Sequence, residues 1–283
     1  MHVYRDFLLV NVVVLAALLV VAPMALGGRW RWWALGATSV AVGMSLPVGW
    51  AGWFVLPLAV PVLGAARRRL AGRGSVPLEQ FWAMLPVVWA VVAVGALAAS
   101  LGGVQLFGTG EPIARLTVVH FWYAGVGALV VATRMRASGI CPRWSTVGAV
   151  ATAGAPPFVA LGFVLRHPIP QVGGAVLMTV GVWATAVTLL VAARRWRGPR
   201  RVAALVAGLA TWVPMVLAVS WAASNYWLDV PALPVPVMAR THGVINAVGF
   251  VIAGLYATKS AALAVQGATV EPMSGRAIDV VAA

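Results

Sequence analysis

Residues 81–101 read FWAMLPVVWAVVAVGALAASL, a run of 21 residues without a charged side chain. A helix crosses the ~30 Å hydrocarbon core of a bilayer in about 20 apolar residues, because each residue rises ~1.5 Å. This stretch therefore predicts a membrane-spanning helix. Similar apolar runs occupy residues 7–27, 116–133, 147–165, 171–193, 202–222 and 238–257. Together they predict an all-α fold, a polytopic transmembrane helical bundle.

The composition agrees with a membrane protein. Of the 283 residues, 62% are hydrophobic and 9% are charged. Soluble domains carry about 25% charged residues, so the composition excludes a soluble domain as well as a disordered chain. The single cysteine, Cys141, excludes a disulfide scaffold and a cysteine-ligated metal site. The net charge of +14 comes from short basic clusters between apolar runs, which is typical of membrane proteins, so we expect no nucleic-acid partner.

Residues 34–65 determine the number of spans. As one helix these 32 residues would measure roughly 48 Å, which is too long for an untilted span. Glycine and proline residues between 43 and 52 favour a break in the middle. Two short spans, about 34–47 and 50–65, give a total of nine. One tilted helix over the whole stretch gives eight.

The basic residues predict the orientation of the bundle. Cytoplasmic loops are enriched in Lys and Arg, and most basic residues fall on one side whether the spans number eight or nine. This predicts a multipass protein of the cell membrane with a cytoplasmic C-terminus. The bundle is expected to occupy residues 1–260, followed by a short cytoplasmic tail at 261–283. The arginines at 67–69 and 194–201 are expected to contact anionic headgroups of membrane lipids.

The clearest segment with polar residues at membrane depth begins near residue 111. Pro112 begins a helix, and Glu111 before it suits the positive end of the helix dipole. Arg115 follows one turn later and can pair with Glu111. His120 lies roughly 12 Å along the helix axis from Pro112, inside the apolar zone, and shares a helical face with Tyr123.

A second polar group lies at the start of the run 238–257. His242 and Asn246 are one turn apart, and Thr241 is expected at the water boundary. Small residues continue the same face, as in the preceding segment. Such groups often only form hydrogen bonds between helices. Ionisable groups at membrane depth are costly, however, and two such segments at the same outer depth also favour a functional site.

These residue types support acid–base chemistry. Imidazole exchanges a proton near neutral pH, and a carboxyl removed from water favours its neutral form. Glu111 is therefore a candidate acid, with His120 or His242 as the base, for a lipophilic substrate entering from the membrane. The candidate substrate-binding residues, some of which could stabilise developing negative charge, are Arg115, Tyr123, Asn225, Thr241 and Asn246.

The sequence predicts neither a metal nor a cofactor. The histidines form no close i, i+4 pair and no HExxH motif, which argues against zinc. There is no GxxxxGK[ST] loop, and no GxGxxG follows a strand, so no nucleotide is expected.

EPIARLTVVHFWYAG at 111–125 and MARTHGVINAVGF at 238–250 resemble signature stretches of the YndJ-like bacterial membrane proteins. The order and spacing of the hydrophobic runs are similar over most of the chain. The resemblance implies a multipass membrane protein and assigns no activity. The positions that it implies should be tested are Glu111, His120, Tyr123, Thr241, His242 and Asn246.

Three functions remain open from the sequence. The first is an intramembrane acid–base enzyme that hydrolyses, isomerises or cyclises a lipophilic metabolite. The second is a transporter of a small lipophilic compound, and the third is a structural membrane protein without catalysis. Short loops and the lack of internal symmetry favour the enzyme. No protein partner is predicted.

Overall fold

A computed structural model of the chain describes residues 2–71, 77–105, 113–227 and 229–259. These residues form helices joined by turns, with no strand among them, which confirms the predicted all-α fold. Eight of the helices are long and apolar enough to cross a membrane. The predicted tail at 261–283 and the candidate acid Glu111 lie outside the described residues.

Nine helices are numbered here in chain order within the described residues. They are α1 (Leu8–Leu26), α2 (Trp30–Gly43), α3 (Trp50–Leu70), α4 (Leu78–Leu101), α5 (Ala114–Ala137), α6 (Pro142–Leu165), α7 (Pro168–Ala193), α8 (Gly198–Ser224) and α9 (Val235–Lys259). The backbone before α1 is already helical from His2. The first part of α3, Trp50–Leu58, is a 3-10 helix.

The stretch 34–65 forms two helices, so the single tilted helix is wrong and the predicted break is confirmed. The first of them, α2, ends at Gly43, and Gly49 precedes α3 with φ +106°, a conformation that favours glycine. The helix α2 begins four residues before its predicted start and ends four residues before its predicted end, and α3 continues five residues beyond its predicted end. The tryptophans and arginines at their ends suit the membrane interface, so the helices continue through it.

One end of the bundle is rich in arginine. Arg68 and Arg69 of α3 both donate hydrogen bonds to the carbonyl oxygen of Leu26, at the end of α1. In the same region, Arg200 at the start of α8 donates to Ala257 near the end of α9 at 2.9 Å. We call this the basic end of the bundle.

The helix α2 runs between the two ends. It begins at Trp30, just after α1 reaches the basic end. After it, the Gly49 amide donates to the carbonyl oxygen of Leu101, the last residue of α4. At about 21 Å, α2 is shorter than a full span, yet it carries the chain from one end to the other. Each of the nine helices therefore runs opposite to the one before it, and the start of α1 and Lys259 lie at opposite ends.

This arrangement predicts an all-or-none labelling pattern. In a Cys141→Ser background, we expect Ser45→Cys and Asn225→Cys to react with an impermeant thiol reagent in intact cells. Arg195→Cys, at the basic end, should react only after the membrane is permeabilised, because basic loops stay cytoplasmic. All three positions are exposed. Labelling of Arg195→Cys in intact cells, or protection of Ser45→Cys, would contradict the topology.

The centre of the bundle contains three π-helical segments that pack against one another. They are Ala17–Val21 of α1, Phe121–Ala128 of α5 and Ile245–Ile252 of α9. Gly127 lies where they meet, because a Cβ at this position would be 2.3 Å from Val251 Cγ1 and 3.1 Å from Val21 Cγ1. The absence of a side chain at Gly127 therefore lets α5 approach both neighbours.

Candidate functional site

The structure brings His120 and His242 together from two different helices. Their ring centroids are 6.4 Å apart, and the ring planes are inclined by 19°. His120 lies about 9 Å along α5 from its first residue, and His242 lies about 10 Å along α9. Both helices start at the end of the bundle opposite the basic end. The two imidazoles therefore meet at one depth, as their positions in the sequence suggested, and we call them the histidine pair.

Backbone carbonyls fix the protonated nitrogen of each ring. His120 Nδ1 is 2.8 Å from the carbonyl oxygen of Leu116, and His242 Nδ1 is 2.8 Å from that of Pro214. A carbonyl oxygen only accepts hydrogen bonds, so each Nδ1 carries a proton and donates it. In a neutral ring the other nitrogen, Nε2, then has a lone pair. Both rings are therefore oriented to accept a proton at Nε2.

Asn246 supports the His242 ring from one turn further along α9. Its amide group is 3.2 Å from His242 Nδ1, and its Oδ1 is buried without a hydrogen-bond partner among the described residues. Rotating the amide by 180° would place Oδ1 against the Nδ1 proton as its acceptor, and would move the amide nitrogen away from the Met215 sulfur. We assign this orientation to Asn246. The amide then helps the Pro214 carbonyl to hold the ring in one tautomer.

Both histidines lie at π-helical turns. The segment Phe121–Ala128 begins directly after His120, and His242 lies within the π-helical turn Ala239–Gly243. Such turns are rare and are frequently found at functional sites, because they redirect side chains relative to a regular helix. Regular helical spacing placed His120 and Tyr123 on one face. In the structure they contact different neighbours.

Tyr123 and Arg115 face α1 and not the histidine pair. The Tyr123 hydroxyl donates to the Val13 carbonyl oxygen at 3.4 Å. Arg115 is only 8% exposed, and its Nη1 donates to Asn11 Oδ1 at 2.7 Å. A second bond joins Arg115 Nε to Ser100 Oγ of α4 at 3.4 Å. These contacts tie α5 to α1 and α4, while the substrate-binding role of both residues stays a prediction.

The remaining predicted site residues lie away from the pair or bond within their own helix. Thr241 Oγ1 donates to the Val237 carbonyl oxygen at 2.8 Å, one turn earlier in α9. Asn225 caps the end of α8 and is exposed. The roles predicted for Thr241 and Asn225, like that of Glu111, are not tested by this geometry.

Sequence reasoning missed the partners that orient the site. Asn11 stands out as an amide inside the apolar run of α1, and this signal was available from the sequence. The Pro214 carbonyl and the Met215 sulfur, 3.5 Å from the end of the Asn246 amide that faces His242, come from the middle of α8. A backbone carbonyl or a core methionine carries no recognisable pattern, so these contacts required the folded structure.

A separate groove of about 440 Å³ lies between α7 and α8. Its lining is almost wholly apolar and includes Val176, Val180 and Trp183 of α7 and Val216 and Ser220 of α8. Several of these valines are also exposed on the outside of the bundle. The groove thus offers a hydrocarbon chain a place one or two turns along α8 from Pro214.

Comparison with known proteins identifies a family match. The family model described as YndJ-like protein matches residues 8–250. These residues include α1 to α8, most of α9 and both members of the histidine pair. No curated protein and no solved structure matches the chain.

Proposed function

The chain belongs to the YndJ-like protein family. From the histidine pair we propose that it is an intramembrane acid–base enzyme of the bacterial cell membrane. The substrate class is a lipophilic metabolite that enters from the bilayer and is hydrolysed, isomerised or cyclised. The observation that carries the proposal is the pair of rings 6.4 Å apart with both Nδ1 atoms bonded to backbone carbonyls.

The pair can supply both an acid and a base. Two imidazolium charges at this separation would repel each other, so when one ring gains a proton the other ring is favoured to stay neutral. The neutral ring accepts a proton at Nε2, and the protonated ring donates one. Glu111 is the further candidate acid. His120 is exposed and His242 is half-buried, so a substrate can reach the pair from its His120 side.

The packing beyond the pair favours an enzyme over a transporter. A transport path along α5 and α9 would need polar groups or space deeper in the membrane. Instead, a Cβ at Gly127 would be 2.3 Å from Val251, and one at Gly254 would be 3.0 Å from Val131. The two helices are thus in close apolar contact two turns below His120. A site that receives its substrate and returns its product at one level agrees with this packing.

Paired extraction of lipophilic metabolites from cells and medium tests the proposal. We would compare the native host with strains that lack the gene or carry His242→Asn, His120→Asn or Glu111→Gln. General acid–base catalysis typically contributes a factor of about 10² to 10⁴, so each histidine variant should accumulate a precursor of altered mass or ring count. The matched control is His167→Asn, which changes an exposed histidine outside the pair.

The outcomes separate the three functions, provided that each variant accumulates in the membrane at the native level. A new precursor in both histidine variants, with His167→Asn unchanged, supports the enzyme. The same compound trapped on one side of the membrane would instead establish transport. Unchanged metabolites in all variants would show that the polar groups only lock helices together.

A further inference from the structure

The groove between α7 and α8 opens to the outside of the bundle, toward the end opposite the basic end. Its walls run from Val176 to Trp183 on α7 and from Val216 to Ala223 on α8, which is about 10 Å along each helix. The outer end of α8 follows directly after Ala223. Val180 and Val216 are 42% and 53% exposed, so the groove faces the hydrocarbon of the bilayer. We call it the α7–α8 groove.

The polar groups in the walls of the groove are already bonded within the protein. Thr179 Oγ1 donates to a carbonyl oxygen one turn earlier in α7 at 2.9 Å, and Ser220 Oγ donates to the carbonyl oxygen of Pro231. The indole Nε1 of Trp183 donates to the Thr211 carbonyl oxygen at 3.4 Å. Every donor of the described lining side chains is therefore in use, and the part of a ligand that fits here is a hydrocarbon chain.

The loop after α8 borders the outer end of the groove. Val230 of this loop is one of the lining residues. The loop is held at two points, because the Tyr226 hydroxyl donates to Gln171 Oε1 of α7 at 2.5 Å and the Pro231 carbonyl accepts from Ser220 of α8. A hydrocarbon chain therefore enters the groove from the side, out of the bilayer, and the polar end of the same molecule lies near Val230.

Charges of both signs flank the outer end of the groove. Asp229 directly precedes Val230, so its Cα is about 3.8 Å from that of a lining residue, and its side chain is exposed. Its carboxylate forms no ion pair with another described residue. On the α7 side, Arg166 is exposed two residues before the helix begins. A headgroup with an ammonium beside Asp229 and a phosphate toward Arg166 would complement both charges.

From the apolar walls and the flanking charges together, we propose that the α7–α8 groove binds one phospholipid with an ammonium headgroup from the outer leaflet. One of its hydrocarbon chains lies between Val180 and Val216, and its ammonium group lies at Asp229. Hydrocarbon chains have apolar neighbours in the bilayer too, so the preference for the groove comes from packing against fixed walls and from the headgroup contact. The site is separate from the histidine pair and would exist in an enzyme, a transporter or a structural protein.

Native mass spectrometry of the purified full chain in detergent tests this site. We would titrate the protein with phosphatidylethanolamine and with phosphatidylglycerol that carry the same hydrocarbon chains, and count the bound lipids. Phosphatidylethanolamine should bind about two- to fivefold more tightly, which is the range expected for one exposed ion pair. Asp229→Asn keeps the size of the side chain, removes its charge and should abolish this preference.

A second variant tests the groove itself. Val216→Trp should lose the most tightly bound lipid, because the indole would occupy the space of the hydrocarbon chain. The control, Val213→Trp, makes the same change at a position of α8 that is 69% exposed and does not line the groove. Both valines are exposed, so both variants should fold.

The outcomes decide the groove and the headgroup separately. Equal binding by Val216→Trp and the native chain would overturn the groove. An equal loss in the two tryptophan variants would do the same, since it would indicate a general effect on the protein surface. A native chain that binds both lipids equally, or a preference that persists in Asp229→Asn, would overturn the ammonium contact.

Discussion

Gly174→Ala should destabilise the protein by about 3 kcal/mol, whereas Gly173→Ala beside it should be neutral or slightly stabilising. A Cβ at Gly174 would lie 2.7 Å from the backbone nitrogen of Val159 and 2.6 Å from its Cγ2. A Cβ at Gly173 would meet nothing within 4 Å. The two residues are adjacent in α7, so the comparison holds helix propensity and membrane depth nearly constant.

The expected loss of stability in Gly174→Ala comes from the close contact between α6 and α7. Small residues let the backbones of membrane helices approach each other, and here a backbone atom is among the atoms that the new methyl group would meet. A backbone atom cannot rotate away, so the two helices must separate. Reversible unfolding in mixed detergent micelles would measure the difference in free energy between the two variants. Equal stability of Gly174→Ala and Gly173→Ala would show that the helices are not in this contact.

Gly127→Ala should lower the free energy of unfolding by about 2 kcal/mol, and adding Val251→Ala should recover part of that loss. The new Cβ would be 2.3 Å from Val251 Cγ1, which is a side-chain atom and can be removed. Val251→Ala alone should also cost about 2 kcal/mol, because it leaves a cavity at a position that is 2% exposed. In the double variant the added and deleted methyl groups compensate each other.

The measurement is a double-mutant cycle of unfolding free energies. The double variant should lose less unfolding free energy than Gly127→Ala and Val251→Ala lose in sum, by at least about 1 kcal/mol. Gly95→Ala, where a Cβ would meet nothing within 4 Å, is the control for adding a methyl group to a membrane helix. Simple additivity of Gly127→Ala and Val251→Ala would contradict direct contact between α5 and α9 at this level.

The helices themselves could be predicted from the sequence because the signal is local. An apolar run of about 20 residues must be helical in a bilayer, where backbone groups have no water to bond. The break between α2 and α3 was predictable for the same reason, since glycine and proline act on the backbone where they stand. The boundaries were less certain: α2 begins at Trp30, earlier than its apolar residues alone indicated.

The sequence predicted the membrane level of the candidate site but not which residues contact each other there. Counting residues from the start of each helix placed His120 and His242 at one level, and the structure brings them together. The same counting grouped Tyr123 with His120, whereas Tyr123 bonds to Val13 of α1. The π-helical turns that separate these contacts depend on how α1, α5 and α9 pack, and that packing has no signature in a single segment.

The sequence by itself therefore determined that the chain folds in a lipid bilayer, which segments form the helices that cross it and which polar residues lie at membrane depth. Only the tertiary structure decided which of those residues meet. The Pro214 carbonyl that orients His242, the Asn11 amide that bonds Arg115 and the Leu26 carbonyl that accepts from Arg68 and Arg69 all come from other helices. The hydropathy of a segment predicts whether that segment crosses the membrane, whereas these contacts depend on which helices become neighbours.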